Sequence, residues 1–519
     1  MENANERAGR EEGEKVTRHW TEILVERIMT ERKQPFVITG GITTSGPTHL
    51  GTVCEFLYPA KINDILVEKG QKSSFYFIGD ILDAFDSVPS DMEKYGEQLK
   101  PYLGMPLCNT PDPLKCHVSL GDHYLADAED VMKKMGLTIK VIRVNELYQQ
   151  GKFDPYARIF LKNEQETRRV VAETSFRKVE ELAGWSPIMP ICEKCGRIAT
   201  TRVTWHDDEE YEYIDDGDTG YVKGCGYSGR AKISDHRYKL QWRVHWPSWQ
   251  ALFNTTAEGG GKDHFTRGGS YDTQIEVHRR IFNREPPVAY NWGFILFEGK
   301  KYSKSKGIGM GTTELLKLIP PEVIAYILIE PDLKSDKNIA PSGEGLLAVY
   351  EEIERISVLG NPESRADKKK AIAFRLAIGK LKWKAKFVDI LTYYQIHRDW
   401  KKVGSLLGDE SGVAYLAPYI EEWLARKYEP ERYNFSLNPG KAKNGSLVGA
   451  FDAELADRMN ALEIHNLVYS VAEKQNVKAA ELFGELYRVL IGKDSGPRFG
   501  KLIEAIGVKR TKELLSSSL

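Results

Sequence analysis

Pro35-Phe36-Val37-Ile38-Thr39-Gly40-Gly41-Ile42-Thr43-Thr44-Ser45-Gly46-Pro47-Thr48-His49-Leu50-Gly51 runs from an apolar stretch, through a glycine turn and a Thr/Ser/Pro loop, toward a helix. The helix is expected to continue through Val53, Phe56, Leu57 and Ala60. A strand–loop–helix unit of this kind turns backbone N–H groups and a helix N-terminus toward an anion. Gly46 and Gly51 leave out a Cβ where a ligand or neighbouring backbone comes close, and His49 can donate to a phosphate oxygen. The spacing is neither the Gly-x-Gly-x-x-Gly of dinucleotide sites nor a loop ending in Gly-Lys-Ser/Thr. An ordinary tight turn with a surface histidine has the same composition, so the loop needs context.

Working outward, the periodicity predicts a helix over 19–31 and a second buried strand over 74–78. A helix near 122–135 and a strand over 139–144 follow. Strand–helix–strand alternation predicts a parallel sheet with crossover helices. The pattern breaks near Trp185, and residues 186–235 read as a small β-rich insertion. It resumes near Trp242 with a helix near 271–283, a strand near 288–297 and a helix over 322–330. Beyond about Pro341 strand signals nearly vanish; 344–359, 369–398 and 452–471 read as helices, with 361–364 and 430–449 as connections. The expected organisation is a loose lead-in at 1–17, an α/β domain at 18–340 containing the insertion, and an all-α module at 341–519.

Bulk properties bound the functions available. At 519 residues, two to four domains are expected. A net charge of −1 excludes a globally basic, histone-like protein but leaves room for a local basic face. The charged start lacks the apolar core of a signal peptide, and no apolar run approaches the ~18–20 residues that span a bilayer. Six cysteines in so long a chain do not make a disulfide framework, so a reducing, cytoplasmic setting is expected.

A second loop carries chemistry: Lys301-Tyr302-Ser303-Lys304-Ser305. Its two lysines can neutralise charge that builds on a phosphate chain during displacement. Gly299, Gly307 and Gly309 would let it close over a nucleotide. Lysine-rich turns are also common on protein surfaces.

Together the two loops resemble the His-Ile-Gly-His and Lys-Met-Ser-Lys-Ser signatures of class I aminoacyl-tRNA synthetases, with Leu50, Thr52 and Tyr302 as departures. Gly41-Ile42-Thr43, Ser45-Gly46, His49-x-Gly51 and then Glu55 are similar to the class I, archaeal-type lysyl-tRNA synthetases. So are Trp242-Arg243-Val244-x-Trp246-Pro247, Gly261-Lys262-Asp263-His264 and Ser270-Tyr271-Asp272-Thr273. Gly496-Pro497-Arg498, Ile503 and Gly507 resemble the helical anticodon-binding domain shared with bacterial-type glutamyl-tRNA synthetases.

The resemblance implies a Rossmann-like catalytic domain and a two-step reaction. Lysine and ATP, with Mg²⁺, form lysyl-adenylate, and the lysyl group then moves to tRNA(Lys). It implies catalytic roles for His49, Lys301 and Lys304. ATP would be bound by Gly46, Gly51, Gly261, Asp263, Ser303 and Ser305, with Asp263 on ribose hydroxyls. The lysine pocket would comprise Gly41, Thr43, Glu55, Trp242 and His264, with Glu55 facing the ε-ammonium because a buried cation needs an anionic partner. Trp292-Gly293 stands where the family tends to have tyrosine then glutamate. No DNA or membrane partner is expected.

Cys192-x-x-Cys195 has metal-ligand spacing, and Cys225 can supply a third thiolate, but Val222 stands where a four-thiolate site wants a cysteine. The fourth ligand is open among His206, Asp207, Asp208, Asp215, Asp216 and Asp218, with structural Zn²⁺ and a metal-free knuckle both compatible. Cys54, Cys108 and Cys116 read as buried or incidental thiols.

For RNA contacts, the basic stretches are 365–370, 380–386 (expected as helix, with Trp383, Tyr393 and Tyr394 nearby) and 398–402. Two other functions remain: another class I synthetase, for example glutamyl-type, and a non-catalytic tRNA-binding paralogue. An acidic substrate would call for arginine in the pocket, and His49, Lys301 and Lys304 argue against loss of catalysis.

Overall fold

The computed structural model describes residues 18–301 and 309–518. It divides into two compact units, Met1–Thr313 with Leu328–Asn338, and Glu314–Ile327 with Ile339–Leu519.

In the first unit, helix α1 (Trp20–Glu31) precedes strand β1 (Phe36–Ile42), which leads into α2 (Leu50–Glu68). Strand β2 (Ser73–Gly79), helix α3 (Leu120–Lys134) and strand β3 (Lys140–Arg143) follow. The insertion contributes β4 (Ile188–Pro190), β5 (Thr201–His206), β6 (Glu210–Asp215), β7 (Ser228–Lys232) and β8 (Tyr238–Leu240). Helix α4 (Trp242–Phe253), β9 (Ala257–Gly261), helix α5 (Ser270–Glu276) and β10 (Val288–Trp292) complete the core. The main sheet has the order β10-β9-β1-β2-β3, and all its neighbouring strands run parallel. Chain order runs outward from β1 in both directions, so the crevice at the carboxyl ends of β1 and β9 is a topological switch point, where open α/β sheets bind ligands.

Helix α2 is buried on several faces by Leu50, Val53, Phe56, Leu57, Ile62, Ile65 and Leu66, as suits a crossover helix packed inside a doubly covered sheet. It lies close on β1 because Gly40 has no side chain; a Cβ there would sit 2.4 Å from the Glu55 carbonyl oxygen. The segment Leu328–Asn338 is tied to this unit by Trp20 Nε1 and Tyr58 Oη, which donate to the carbonyls of Ile329 at 2.8 Å and Leu328 at 3.0 Å. The insertion is a closed excursion: antiparallel β4 and β8 bring its ends together, with Ile188 opposite Leu240, while β5-β6-β7 form its own small sheet.

Three expected elements differ. The strand near 288–297 is two strands, because after β10 the chain turns at Gly293. There the Gly293 and Phe294 N–H groups donate to the Leu333 carbonyl and the Asp336 carboxylate at 3.2 and 2.8 Å. Strand β11 (Ile295–Phe297) then pairs with β12 (Lys300–Lys301) and with β13 (Lys337–Ile339) in a separate sheet. The helix expected over 369–398 is broken into Arg365–Ala377 and Phe387–His397. Gly379, at φ +66°, ends the first, and the Lys384 and Ala385 N–H groups donate to Asp409 instead of to helical carbonyls. The helix over 452–471 is likewise two, Gly445–Glu454 and Ala461–Lys474; Asn460 and Glu463 form a capping box that starts the second.

In the second unit, every regular element among the described residues beyond Ile339 is helical. Ser364, Asp399, Asp409 and Asn444 cap helix N-termini through their side chains, and their amphipathic helices bury Leu346, Ile353, Ile390, Leu416, Val468 and Leu486.

Candidate active site

A crevice of about 450 Å³ lies at the switch point. One wall comes from the loop after β1. His49 is the N-cap of α2, and its Nδ1 accepts from the Thr52 N–H at 3.2 Å. That bond places the imidazole proton on Nε2, which makes Nε2 a donor. A Cβ at Gly51 would lie 2.8 Å from the His49 ring, so this glycine makes room for the cap. Asp127 on α3 accepts from the Thr48 N–H at 2.8 Å and from Thr313 Oγ1 at 3.2 Å, while the Thr312 N–H donates to the Thr48 carbonyl at 2.9 Å. These contacts hold the His49 loop beside the chain that follows the lysine loop. Lys301 also lines the crevice, its Nζ 3.7 Å from the centre of the Phe294 ring. Ser303, Lys304 and Ser305 lie outside the described residues.

On the opposite side, β9 ends at Gly261 and delivers Asp263 and His264 into the crevice. Trp242, at the start of α4, stacks on Trp246 at 5.5 Å and meets the His264 ring at 6.0 Å. His264 Nδ1 lies 2.9 Å from Ser270 Oγ, and burial holds its pKa below the ordinary value, so the ring is neutral. Gly41, Thr43 and Glu55 line the same space. Burial pushes the Glu55 carboxyl well above the carboxylate range, and the nearby Glu258 and Asp263 push it further. Glu258 itself is held by Trp249 Nε1 at 3.1 Å and Gln250 Nε2 at 2.5 Å, with a pKa pushed up by burial to about 7. Of the described residues expected here, only Gly46 is absent from the crevice lining; it is buried in the loop behind.

Asp83 is a lining residue not expected from the sequence, whereas Trp292 and Gly293 line the crevice at the position the sequence singled out. Asp83 accepts from Thr43 Oγ1 and pairs with the buried Lys239 on β8. Lys239 also pairs with Asp80 at 2.7 Å, and His245 Nδ1 lies 3.4 Å from the same carboxylate. Burial opposes ionisation of Asp80, but Lys239 and His245 outweigh it and hold this carboxyl below its usual range. The network fixes Asp83 at the crevice wall. Its sequence signal is Asp80-x-x-Asp83 directly after β2, the strand beside β1. Trp292 forms another wall, edge-on to Tyr58 at 5.3 Å. At Gly293 a Cβ would sit 2.4 Å from the Ser335 carbonyl oxygen, so no glutamate fits there. Buried Lys337 binds the carbonyls of Asp332, Leu333 and Ser335, which keeps that neighbouring loop in place.

The cysteines of the insertion converge. Cys192, Cys195, Cys225 and Asp215 place their donor atoms within 4.8 Å of one another. Cys195 Sγ donates to Asp215 Oδ2 at 2.9 Å, and the Cys192 and Cys225 sulfurs are 3.7 Å apart. Burial opposes the Asp215 charge, yet hydrogen bonds from Cys195, Thr200 and Cys225 leave its pKa at about 2. Asp215 thus stands where Val222 cannot serve, while His206 faces Glu164 at 3.2 Å and is not part of the cluster. Three thiolates and a carboxylate oriented by Thr200 suit a tetrahedral zinc ion. Cys116, expected as a buried or incidental thiol, is exposed and stands in a second donor cluster. This cluster comprises Asp112, Cys116, His117 and His123, again within 4.8 Å, with Cys116 Sγ at 3.1 Å from Asp112 and 3.3 Å from His123. Its mixed S/N/O set also suits a four-coordinate divalent ion. Cys116-His117 flanked by Asp112 and His123 was the available signal.

A parallel sheet with its crevice at the switch point, a histidine-led helix N-terminus and Lys301 at the crevice wall fit the catalytic fold of the class I aminoacyl-tRNA synthetases. Residues 18–380 match the family described as tRNA synthetases class I (K). The chain is 32% identical to a lysine--tRNA ligase of Archaeoglobus fulgidus, over 96% of this chain and 100% of that protein. It is 31% identical to one of Methanosarcina barkeri, over 93% and 94%, and 29% identical to one of Thermoplasma acidophilum, over 96% and 98%. The chain belongs to the class I, lysine-type family of tRNA synthetases.

Proposed function

We propose that this chain is a lysine–tRNA ligase that activates lysine with ATP and esterifies it to tRNA(Lys). The observation that carries the proposal is Glu55, a half-buried, strongly desolvated carboxyl that lines the crevice with no cation paired to it among the described residues. A substrate ammonium gives that group the partner it lacks. An acidic side chain at the same place would set carboxylate against Glu55, Asp83 and Asp263.

The first step needs no protein nucleophile. The carboxylate of lysine attacks the α-phosphate, the bond to the β-phosphate oxygen breaks, and pyrophosphate leaves with the electron pair. The protein holds the two reactants in line and offsets the charge that builds up. His49 Nε2–H and the α2 N-terminus face the phosphates on one side, and Lys301 with Lys304 on the other. Mg²⁺ bound with ATP supplies further positive charge. Asp263 accepts from ribose hydroxyls beside Gly261, and Ser303, Ser305 and Gly46 complete the nucleotide side. Glu55 takes the ε-ammonium, Trp242 and His264 cover the aliphatic chain, and Asp83 takes the α-ammonium with Thr43. In the second step the terminal ribose hydroxyl of tRNA attacks the activated carbonyl, and AMP departs.

The test is charging of a tRNA(Lys) transcript with labelled lysine, which yields a base-labile ester at the 3′ end. Tight tRNA binding with no ester would favour the non-catalytic paralogue.

The Cys192/Cys195/Cys225/Asp215 cluster would hold a structural zinc ion that ties the turn after β4 to the ends of β6 and β7. Metal analysis of purified protein should show zinc, and Cys195→Ser should lose one equivalent per chain. Protein isolated without metal, and as stable to heat after chelation as before, would contradict this.

A further inference from the structure

The buried charges beside the crevice do not cancel. Lys239, whose side chain is fully buried, pairs with Asp80 at 2.7 Å and with Asp83. His245 on α4 brings Nδ1 to 3.4 Å from Asp80, but burial holds its pKa below the ordinary value, so the ring adds no cation. Tyr148 and Cys108, which face the same interior, are kept protonated by burial and add no charge either. One ammonium therefore stands against two carboxylates, and the cluster holds a surplus of one negative charge.

The two carboxylates differ in what they can reach. Asp80 is closed off, its side chain 1% exposed, with Oδ1 accepting from the Leu82 N–H at 3.3 Å and Oδ2 on Lys239. Its backbone N–H donates to the Ile42 carbonyl at 2.8 Å, which locks it to the end of β1. The Asp83 side chain is 30% exposed and lines the crevice. Lys239 holds its Oδ1 and Thr43 Oγ1 donates to its Oδ2, and among the described residues it pairs with no other cation. The surplus charge is thus open to a ligand only at Asp83. Were Asp80 neutral, the buried ammonium would draw on Asp83 alone and would oppose a second cation there. Met189 of β4 lies opposite Lys239 on β8, so the stem that closes the insertion carries this lysine to the crevice.

We propose that Asp80 is a positioning residue for substrate lysine: by neutralising Lys239 it leaves the charge of Asp83 to the α-ammonium, while Lys239 fixes the direction in which Asp83 points. The inference rests on the reading that places the α-ammonium at Asp83 and Thr43, and it adds what sets the charge at that place.

Dissociation constants are measured by calorimetry for lysine and for 6-aminohexanoate, which keeps the carboxylate and the ε-ammonium but lacks the α-ammonium. Asp80→Asn keeps the shape of the side chain and should weaken lysine about tenfold or more, with 6-aminohexanoate within about twofold of wild type. Asp80→Asn/Lys239→Met removes the buried cation together with its counter-charge and returns the cluster to one negative charge. It should restore lysine to within about threefold of wild type. A merely structural role would weaken both ligands alike and would gain nothing from the second substitution. Equal losses for both ligands, an unchanged lysine affinity in Asp80→Asn, or a double variant no better than the single one each overturn the proposal. If Asp80→Asn does not fold, the double variant decides. Recovery of the fold with lysine affinity near wild type upholds the charge balance, and a lysine loss about tenfold beyond that of 6-aminohexanoate overturns it. Asp83→Asn separates this role from the reading beneath it. Lysine binding as in wild type would take the α-ammonium away from Asp83 and remove both, whereas a loss in Asp83→Asn but not in Asp80→Asn removes the role of Asp80 alone.

Discussion

Glu55→Gln is expected to raise KM for lysine in ATP–pyrophosphate exchange by about 10²- to 10³-fold. Removing one partner of a buried charge pair costs about 3–5 kcal/mol, and each 1.4 kcal/mol is tenfold in affinity. The amide keeps the shape of the side chain and removes only its capacity for charge. Desolvation in the crevice makes the effect large: little water reaches the carboxyl once lysine is bound, so solvent replaces little of the lost attraction. A KM within about threefold of wild type would remove Glu55 from the ammonium site.

The same group sets a pH dependence whose sign follows from its environment. Burial raises the Glu55 pKa, so in the empty crevice it holds its proton at pH values where an exposed glutamate would not. Binding the ε-ammonium requires the ionised form, so lysine binding expels a proton. Affinity should therefore rise with pH below the raised pKa, by up to tenfold per unit, and level off above it. Across roughly pH 6–8 lysine remains cationic, its side chain titrating near 10.4. Glu258 titrates near 7 in the same interior, so the control is Glu55→Gln, whose affinity should no longer follow the Glu55 titration. Calorimetry in buffers of different ionisation enthalpy would count the proton directly.

The second large effect is at the lysine loop. Lys304→Ala should slow adenylate formation by about 10²- to 10³-fold, the scale for removing one preorganised donor from a developing charge. The lysine dissociation constant should change less than twofold. A group that acts on the leaving pyrophosphate is needed in the transition state and not in the ground state, so the rate falls and the binding does not. Equal losses in rate and affinity would instead give Lys304 a ground-state binding role.

How much of this could be read from residues alone depends on the range of the interactions. The strand into Gly40-Gly41 and the helix after His49 were legible because apolar spacing and glycine placement are local. Glu55 was reachable because it lies one turn into that helix. Asp83 was not, because what makes it part of the site is Lys239, which is 156 residues away. The meaning of Gly293 was hidden likewise: only the approach of the Ser335 carbonyl shows why nothing larger stands there. Cys116 lacks a second nearby cysteine, so its partnership with Asp112 and two histidines appears only once the chain has turned. The long helix expected through 380–386 failed because Asp409, a residue beyond the next helices, satisfies the backbone there.

ATP–pyrophosphate exchange with each standard amino acid in turn tests the account most directly. The crevice, with Glu55 and Asp83 for two ammonium groups and no arginine among its lining residues, predicts exchange with lysine alone. Exchange with glutamate and not lysine, or with no amino acid at all, would contradict it.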